Sequence, residues 1–589
     1  MVQNLRFFIA AFSVLLLLAG CGEENKEQQT EDKDTVDYSY TIYKIDPLET
    51  KETRDETGQR KELDYSLDEI QIDEYNNGKE RQKAGKKDRD RAAAGETQKT
   101  AKAPEEQQAK KDDNDGVRKR RLGESQNQEI EGKEPRKREI AEVKDKDLEN
   151  ADKNILETGN PVIVTYYEGI SENLENPDIV EVLVIEDSKM TEMPAEIIAF
   201  KNLKKLSFAG SNLEELPDNI CDFKNIEVLE LHSNNLSRLP ECIGDMQGLR
   251  VLNLNSNKIQ NLPKSMKNLT DLQKLSLSNN RVNNLPEFLC EMNSLDYLNL
   301  ANNNLESIPE CIARLNMLEY LNLSYNPLVD YEDKFNDITH ISNLRTLILA
   351  GNDINNVPGS IEDLQLLERL ILSDNDLNEL PEEMGKLSNL RELNLTANEI
   401  SSLPESFRNL TMLHDLTLKS NEFKKLPDHV AELPALIYLD VAKNNEIDFS
   451  EMLAKIDNQN KLLELNLYET GLKELPDNII KFSNLQTLNI GRNPELDIND
   501  ALSKLKRMPS LKNLNMYNIQ FESLPDNITE LDQINKLNIG GNPNINSTDD
   551  YQVLKNLNGL EELLIMNNDL DEKEKMKLQN MLAETIVVY

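Results

Sequence analysis

The sequence predicts an α/β solenoid, a stack of short coils that each give one strand to a continuous parallel sheet. Two observations carry this. The stretch LRVLNLNSNKIQNLP (Leu249 to Pro263) returns 23 residues later as LQKLSLSNNRVNNLP and again as LDYLNLANNNLESIP. A fixed period in this range marks units that bury a core only by stacking on their neighbours. Each copy also carries an asparagine inside its apolar pattern, at Asn257, Asn280 and Asn303. A lone buried amide is costly, so the pattern implies one hydrogen-bonded position per coil.

Written out, the unit is LxxLxLxxNxLxxLPxxIxxLxx. It resembles the leucine-rich-repeat superfamily, in its 23-residue class with an LPxxI second half, which implies a curved horseshoe with a concave parallel sheet. The Asn position falls at Ser188, Ser211, Asn234, Asn257, Asn280, Asn303, Asn326, Asn352, Asn375, Asn398, Asn421, Asn444, Thr470, Asn493, Ile519, Asn542 and Asn568, giving seventeen coils. Leu252-x-Leu254 then forms a short strand with both leucines inward. The chain turns sharply after it, inside a core where backbone groups lack strand partners, and an Asn side chain both donates to and accepts from them. In the family this ladder runs unbroken along the solenoid, which makes these asparagines structural. Ser188, Ser211 and Thr470 offer one hydroxyl each and Ile519 offers nothing, so a local rearrangement is expected around Ile519.

Four ladder steps are 26 residues rather than 23: Asn326 to Asn352, Asn444 to Thr470, Asn493 to Ile519 and Asn542 to Asn568. Their inserts carry helical spacing, as at Ile498, Leu502 and Leu505, or at Phe449, Leu453 and Ile456 with Asp448 or Ser450 as cap. These long coils are expected to place an α-helix on the convex face, where the 23-residue coils make extended or 3₁₀ turns. Acidic residues follow the coil proline at Asp218, Glu241, Glu287, Glu310, Glu382, Glu405, Asp428, Asp477 and Asp526, where a first helical turn favours negative charge. Both ends of a solenoid need capping. VIVTYY (162–167) reads as an edge strand in a cap over 161–178. The solenoid spans 179–570, and a charged helix with a final strand (Thr585 to Tyr589) caps it over 571–589.

The N-terminal region is of another kind. After Arg6, an apolar run from Phe7 to Leu18 is too short to span a bilayer and reads as a secretory signal over 1–20. The closing Leu18-Ala19-Gly20-Cys21 resembles the lipobox of bacterial lipoproteins, which implies cleavage before Cys21 and a diacylglyceryl thioether on its sulfur. An ordinary signal peptide with an incidental Cys is the alternative. Two or three acyl chains make such an anchor stable. Gly22 after Cys21 resembles the outer-membrane sorting pattern of Gram-negative cells and leaves the leaflet open. Residues 21–160 hold 29 Lys and Arg against 38 Asp and Glu, a net of −9, so of the chain's formal −40 the part from Pro161 carries −32. With almost no apolar periodicity, 21–160 reads as a disordered tether with a typical span of about 65 Å. The cluster Arg118-Lys119-Arg120-Arg121 is flanked by Asp112, Asp113 and Asp115 and reads as solvated; no nucleic-acid partner is expected. YSYTIYKI (38–45) and LDYSLDEIQI (63–72) are short segments able to dock locally.

Four more cysteines lie in the coils. Cys221 follows an inward Ile and Cys242 precedes the inward Ile of the next coil; Cys290 and Cys311 repeat the relation, each pair 21 residues apart. Residues on either side of an inward position tilt toward opposite neighbouring coils, so Cys221 faces Cys242 and Cys290 faces Cys311. Two disulfides suit an oxidising compartment, with four half-buried thiols as the alternative. His232, His340, His414 and His429 scatter over different coils, so no metal and no cofactor is expected.

GxSxG, HExxH, P-loop and GxGxxG motifs are absent, and the expectation is that no catalytic module follows the cap. In the resembled fold the variable residues beside each LxL strand form a rigid concave surface, and here they include Tyr297, Tyr320, Tyr325, Tyr438, Tyr468 and Tyr517 with Arg369, Asp415, Lys419 and Arg492. Exposed tyrosines with scattered charges compose recognition surfaces. Tyr297, Tyr320 and Tyr325 gather in two adjoining coils and are the expected hot spot, although such rings also serve to cover neighbouring strands. The reading is a non-enzymatic, lipid-anchored binding protein of the cell envelope with a protein or glycan ligand. A passive spacer or adhesin and, further off, the substrate-recognition part of an enzyme are the alternatives.

Overall fold

In the computed structural model the described residues are 162–164, 170, 173–185, 189–328, 331–445, 447–449 and 461–589. The expected signal, Cys21, the tether with its two short segments, Ser188 and the insert at 450–460 with Leu453 and Ile456 lie outside them. Among the described residues nineteen strands, almost all of three residues, form one parallel sheet in chain order from Val162–Val164 to Ile586–Val588. Each strand pairs with the next one along the chain, and the register keeps equivalent residues of neighbouring coils side by side, as in Val251↔Lys274, Leu252↔Leu275 and Asn253↔Ser276. Leu252 and Leu254 are fully buried. The apolar positions of all coils stack into one core running the length of the solenoid.

A left-handed residue stands immediately before every described ladder position: Ser233 before Asn234, Ser256 before Asn257, and so on to Asn567 before Asn568, with glycine at Gly210, Gly351 and Gly541. This residue turns the chain out of the strand, and the ladder amide holds the turn. Asn257 Nδ2 donates to the carbonyls of Leu231 (2.9 Å) in the preceding coil and Leu254 (3.0 Å) in its own, while its Oδ1 accepts from Leu236 N–H at 2.9 Å. Asn280 and Asn303 repeat the pattern. Thr470 replaces one donor with its hydroxyl, 2.8 Å from the carbonyl of Leu467.

At Ile519 the turn is indeed altered. Gln520 takes a second left-handed conformation after Asn518, and Asn542 Oδ1 accepts from both Gln520 N–H (2.8 Å) and Phe521 N–H (3.2 Å). The lost amide is not the cause. Asp353, Gly471 and Asp569 carry the same second left-handed residue, two of them after intact asparagines, and each belongs to a coil reached by a 26-residue step.

On the convex side, 23-residue coils make five-residue 3₁₀ helices, each entered through the coil proline in extended conformation and centred on an inward residue such as Ile220, Ile243 or Met266. The longer coils hold α-helices at Tyr331–Thr339 and Ile498–Leu505. In the latter, Asp497 caps the helix by accepting from Asp500 N–H, and Ala501, Leu502 and Leu505 are buried at α-helical spacing. The coil from Asn542 to Asn568 differs from the expectation: Thr548–Asn556 is a nine-residue 3₁₀ helix. Its buried residues Thr548, Tyr551 and Leu554 recur every three positions, the period of the tighter helix. Tyr551 seals this coil, donating to the carbonyl of Ile545 (2.8 Å) and accepting from Asn568 Nδ2 (2.9 Å).

Val162–Val164 pairs with Val180–Val184 at one end. At the other, the helix Glu572–Met581, capped by Asp571, leads into Ile586–Val588, which pairs with Glu562–Leu564. Disulfides join Cys221 to Cys242 and Cys290 to Cys311, each with Cα atoms 5.8 Å apart. Both staple adjacent convex turns in the N-terminal half of the solenoid.

Candidate functional site

The register sets the concave face out in columns. The first residue of each strand faces outward, so Tyr297, Tyr320, Thr346, Arg369, Glu392 and Asp415 lie side by side in consecutive strands, followed by Tyr438, Glu464, Thr487 and Asn513. Three zones follow from what these neighbours do to one another.

The first zone holds the expected hot spot, and here the expectation is corrected. Tyr297 and Tyr320 stack with ring centroids 4.2 Å apart, and Lys274 Nζ lies 5.4 Å from the centroid of Tyr297. Tyr297 is 2% and Tyr320 7% exposed, in a small cluster with Ile348, Ala350 and Ile371. Adjacent strands are only about 4.8 Å apart, so two aromatics in neighbouring places of one column cover each other. Tyr325 packs on the edge of the cluster, and its hydroxyl reaches Asp374 Oδ2 at 3.3 Å.

The second zone is acidic. Arg369 Nε pairs with Glu392 Oε2 at 2.8 Å, and Asp415, Asp440 and Glu464 follow in the next strands. Burial, and then the charge of Glu392, push the Asp415 carboxyl up to about 6, against the opposing pull of Arg369. Burial also raises Glu464, with Asp415 adding to it. Asp440 is buried and raised for the same first reason, although it accepts from Ala442 N–H (2.8 Å), Asn466 Nδ2 (3.1 Å) and the Tyr438 hydroxyl (3.3 Å), with Lys419 offsetting part of the effect. Tyr438 is raised by burial and then by Asp440.

The third zone, from Glu464 to Leu564, holds Tyr468, Tyr517 and Arg492. Arg492 pairs with Glu469 at 3.0 Å, and Lys536 with Glu562 at 3.1 Å. Its middle column is a run of asparagines, Asn466, Asn489, Asn515 and Asn538, in register on four consecutive strands. Each uses Oδ1 to accept the backbone N–H two residues on: Tyr468, Gly491, Tyr517 and Gly540, at 2.9 to 3.1 Å. Asn253, Asn299, Asn322 and Asn394 do the same in earlier coils. This second asparagine column escapes sequence reasoning because it occupies the variable positions, where Ser276, Ile348, Ile371, Thr417 and Asp440 interrupt it.

Models of the leucine-rich repeat match at residues 342–400, 365–423 and 388–447, and that of a leucine-rich repeat region matches at 241–332. The solved structure of a leucine-rich-repeat protein of Leptospira interrogans is similar at 28% identity with a TM-score of 0.54, over 72% of this chain and 99% of that one. This chain is a leucine-rich-repeat protein. The coils of this repeat protein also resemble, at lower similarity, a plant peptide hormone receptor (21% identity, 69% of this chain and 68% of that one, TM-score 0.45). The functional domain of InlJ from Listeria monocytogenes is similar at 18% identity, over 67% of this chain and 74% of that one, with a TM-score of 0.46. No curated protein matches the chain. For a leucine-rich-repeat protein the concave columns are the part of the surface free to vary, because ladder, core leucines and convex turns are tied to the fold.

Proposed function

We propose that this leucine-rich-repeat protein is a non-enzymatic recognition protein of a bacterial cell envelope, tethered through a lipid on Cys21 by its charged segment 21–160, and that its concave face captures a protein or glycan. The observation that carries the reading is the crowding of Glu392, Asp415, Asp440 and Glu464. Three of these carboxyls are raised, foremost by burial, and Asp415 reaches about 6. Groups kept in a state that the fold itself disfavours mark functional surfaces more often than structural ones. Nothing in the core requires acids there, since Thr346 and Thr487 fill the column of Glu392, Asp415 and Glu464 elsewhere, and Asn466 and Asn489 fill that of Asp440.

The test is crosslinking capture on intact cells, comparing wild type with the double variant Asp415→Asn, Glu464→Gln. A partner captured by the wild type and lost by the folded variant supports selective concave recognition. Equal capture by both overturns it in favour of a passive spacer. Metabolic labelling with a radioactive fatty acid reads the anchor separately: label lost in Cys21→Ser supports it, and label absent from the wild type removes it.

A further inference from the structure

Three concave tyrosines share a geometry with glycine that Tyr297 and Tyr320 lack. Each lies across the next coil where that coil has no side chain. A Cβ on Gly351 would stand 2.3 Å from Tyr325 Cδ1, one on Gly491 3.1 Å from Tyr468 Cδ2, and one on Gly541 2.7 Å from Tyr517 Cζ. The Gly541 position is close to Cζ, Cε1 and Cε2 together (2.7, 3.0 and 2.9 Å), so it looks onto the face of the Tyr517 ring. Asn567 Nδ2 holds the far end of Tyr517 at its hydroxyl, 3.4 Å away, and Arg492 bonds the hydroxyl of Tyr468. A ring pinned on one face by backbone presents its other face to the concavity. Both residues are half-buried, not covered.

Between these two rings run Asn489, Asn515 and Asn538. With Oδ1 committed to a backbone N–H, the amide plane is fixed and Nδ2 is the group left to offer. Asn538 is the sharpest case: it is 4% exposed, and its Nδ2 has no acceptor among the described residues. A buried donor left without a partner is unfavourable unless something arrives to accept from it. The charges at the rim are already matched, Arg492 by Glu469 and Lys536 by Glu562. The two cations therefore offer little to an anionic ligand, and Glu464 at the edge of the stretch is raised by burial, so the ligand that complements it is uncharged.

We propose that the stretch from Tyr468 to Asn538 binds a neutral glycan chain lying along the solenoid. The apolar C–H faces of its sugars rest on the rings of Tyr468 and Tyr517, which stand two strands or about 10 Å apart. Its hydroxyl or acetamido oxygens accept from Asn489, Asn515 and Asn538. A charged peptide would have to break the Arg492 and Lys536 pairs or leave its own charges unmatched. This inference rests on the reading of the concave face as a recognition surface, and it names the ligand class of one part of it.

The test uses the full chain against an array of neutral oligosaccharides that includes N-acetylchitotetraose and cellotetraose, with the cationic chitosan tetramer alongside, at low and raised salt. Saturable binding of a neutral oligosaccharide that survives raised salt is expected. Tyr517→Ala should weaken it at least about tenfold, whereas Tyr517→Phe, which keeps the ring, should retain it. Asn538→Asp keeps the backbone-capping oxygen, as Asp440 does in the same column, and removes the donor. It should lose binding by a similar factor while its far-UV circular dichroism stays that of the wild type, and Tyr325→Ala should bind as the wild type does. No neutral oligosaccharide bound by the wild type, binding confined to the chitosan tetramer and abolished by salt, or binding by Asn538→Asp and Tyr517→Ala as tight as that of the wild type would each overturn the proposal. If glycan binding fails while the acidic double variant still loses its captured partner, only this inference falls; if both fail, the recognition reading falls with it.

Discussion

Asn253 and Asn257 stand four residues apart in one coil and do different work. Asn257 faces the core, joins its own coil to the preceding one through Leu231, and supplies a partner to every polar atom of its amide. Asn253 faces the concavity, and its Oδ1 accepts within its own coil, from Asn255 N–H at 3.2 Å. The same side chain is cross-coil mortar on one side of the strand and local trim on the other. Asn538, of the second kind, is the one whose donor has no acceptor among the described residues, so function in this molecule has to be sought among asparagines that look less essential.

The sharpest way to break this comparison is to remove each amide in turn. Asn257→Leu leaves the carbonyls of Leu231 and Leu254 and the N–H of Leu236 without partners in the core, and should cost about 4 kcal/mol. Asn253→Leu should cost about 1 kcal/mol or less, since water replaces what is lost. Because long repeat arrays unfold in parts, the local readout is hydrogen exchange at the Leu236 amide, backed by the urea midpoint. Equal losses in the two variants would show that the concave column is as structural as the ladder.

Tyrosines extend the comparison. Tyr297 is used up by Tyr320, by Lys274 and by the aliphatic cluster, so Tyr297→Ala should cost about 3 kcal/mol in stability. Tyr517 is half-buried on glycine, and Tyr517→Ala should cost about 1 kcal/mol, with its main effect on binding. Thermal or urea midpoints of the two variants decide this, and a larger loss at Tyr517 would reverse the assignment of which ring is structural. Gly541→Ala comes next in size. A methyl group at φ +68, set 2.7 Å from Tyr517 Cζ, should displace the ring and cost about 2 kcal/mol at most, visible as a change in Tyr517 fluorescence.

These regions were unequally legible in the sequence. The ladder and the inward leucines follow from the period, because every coil must solve the same packing problem with the same residues, and the convex cysteine pairs follow from their places on either side of an inward residue. The helix at Ile498–Leu505 was legible from its own spacing; the 3₁₀ run at Thr548–Asn556 was not, since Tyr551 enters the core through contacts with Asn568 one coil away. Burial of Tyr297 and Tyr320 depends on each being the other's lateral neighbour. That relation is visible only when residues 23 apart are read across the coils rather than along the chain. Tyr468 with Gly491, and Tyr517 with Gly541, are pairs of the same cross-coil kind. Sequence read along one coil finds the fold, and sequence read across coils finds which surface residues are already spent.

Asp415 gives the smallest effect and the finest test of the same distinction. It faces Glu392 and Arg369 on one side and Tyr438 and Glu464 on the other, and its carboxyl is raised from 3.8 to about 6, foremost by burial. A raised carboxyl favours the folded state while protonated. Its contribution is therefore complete below 3.8 and is lost as pH rises through about 6. At neutral pH the charged Asp415 opposes folding, and Asp415→Asn should stabilise the protein there by about 1 kcal/mol or less once solvent screening is allowed for. Below 3.8 the variant and the wild type should be equally stable. Urea midpoints across this range give the difference directly. A variant that is less stable at neutral pH would mean that the charge is held by partners, as in the ladder, and that the acidic zone belongs to the structure rather than to recognition.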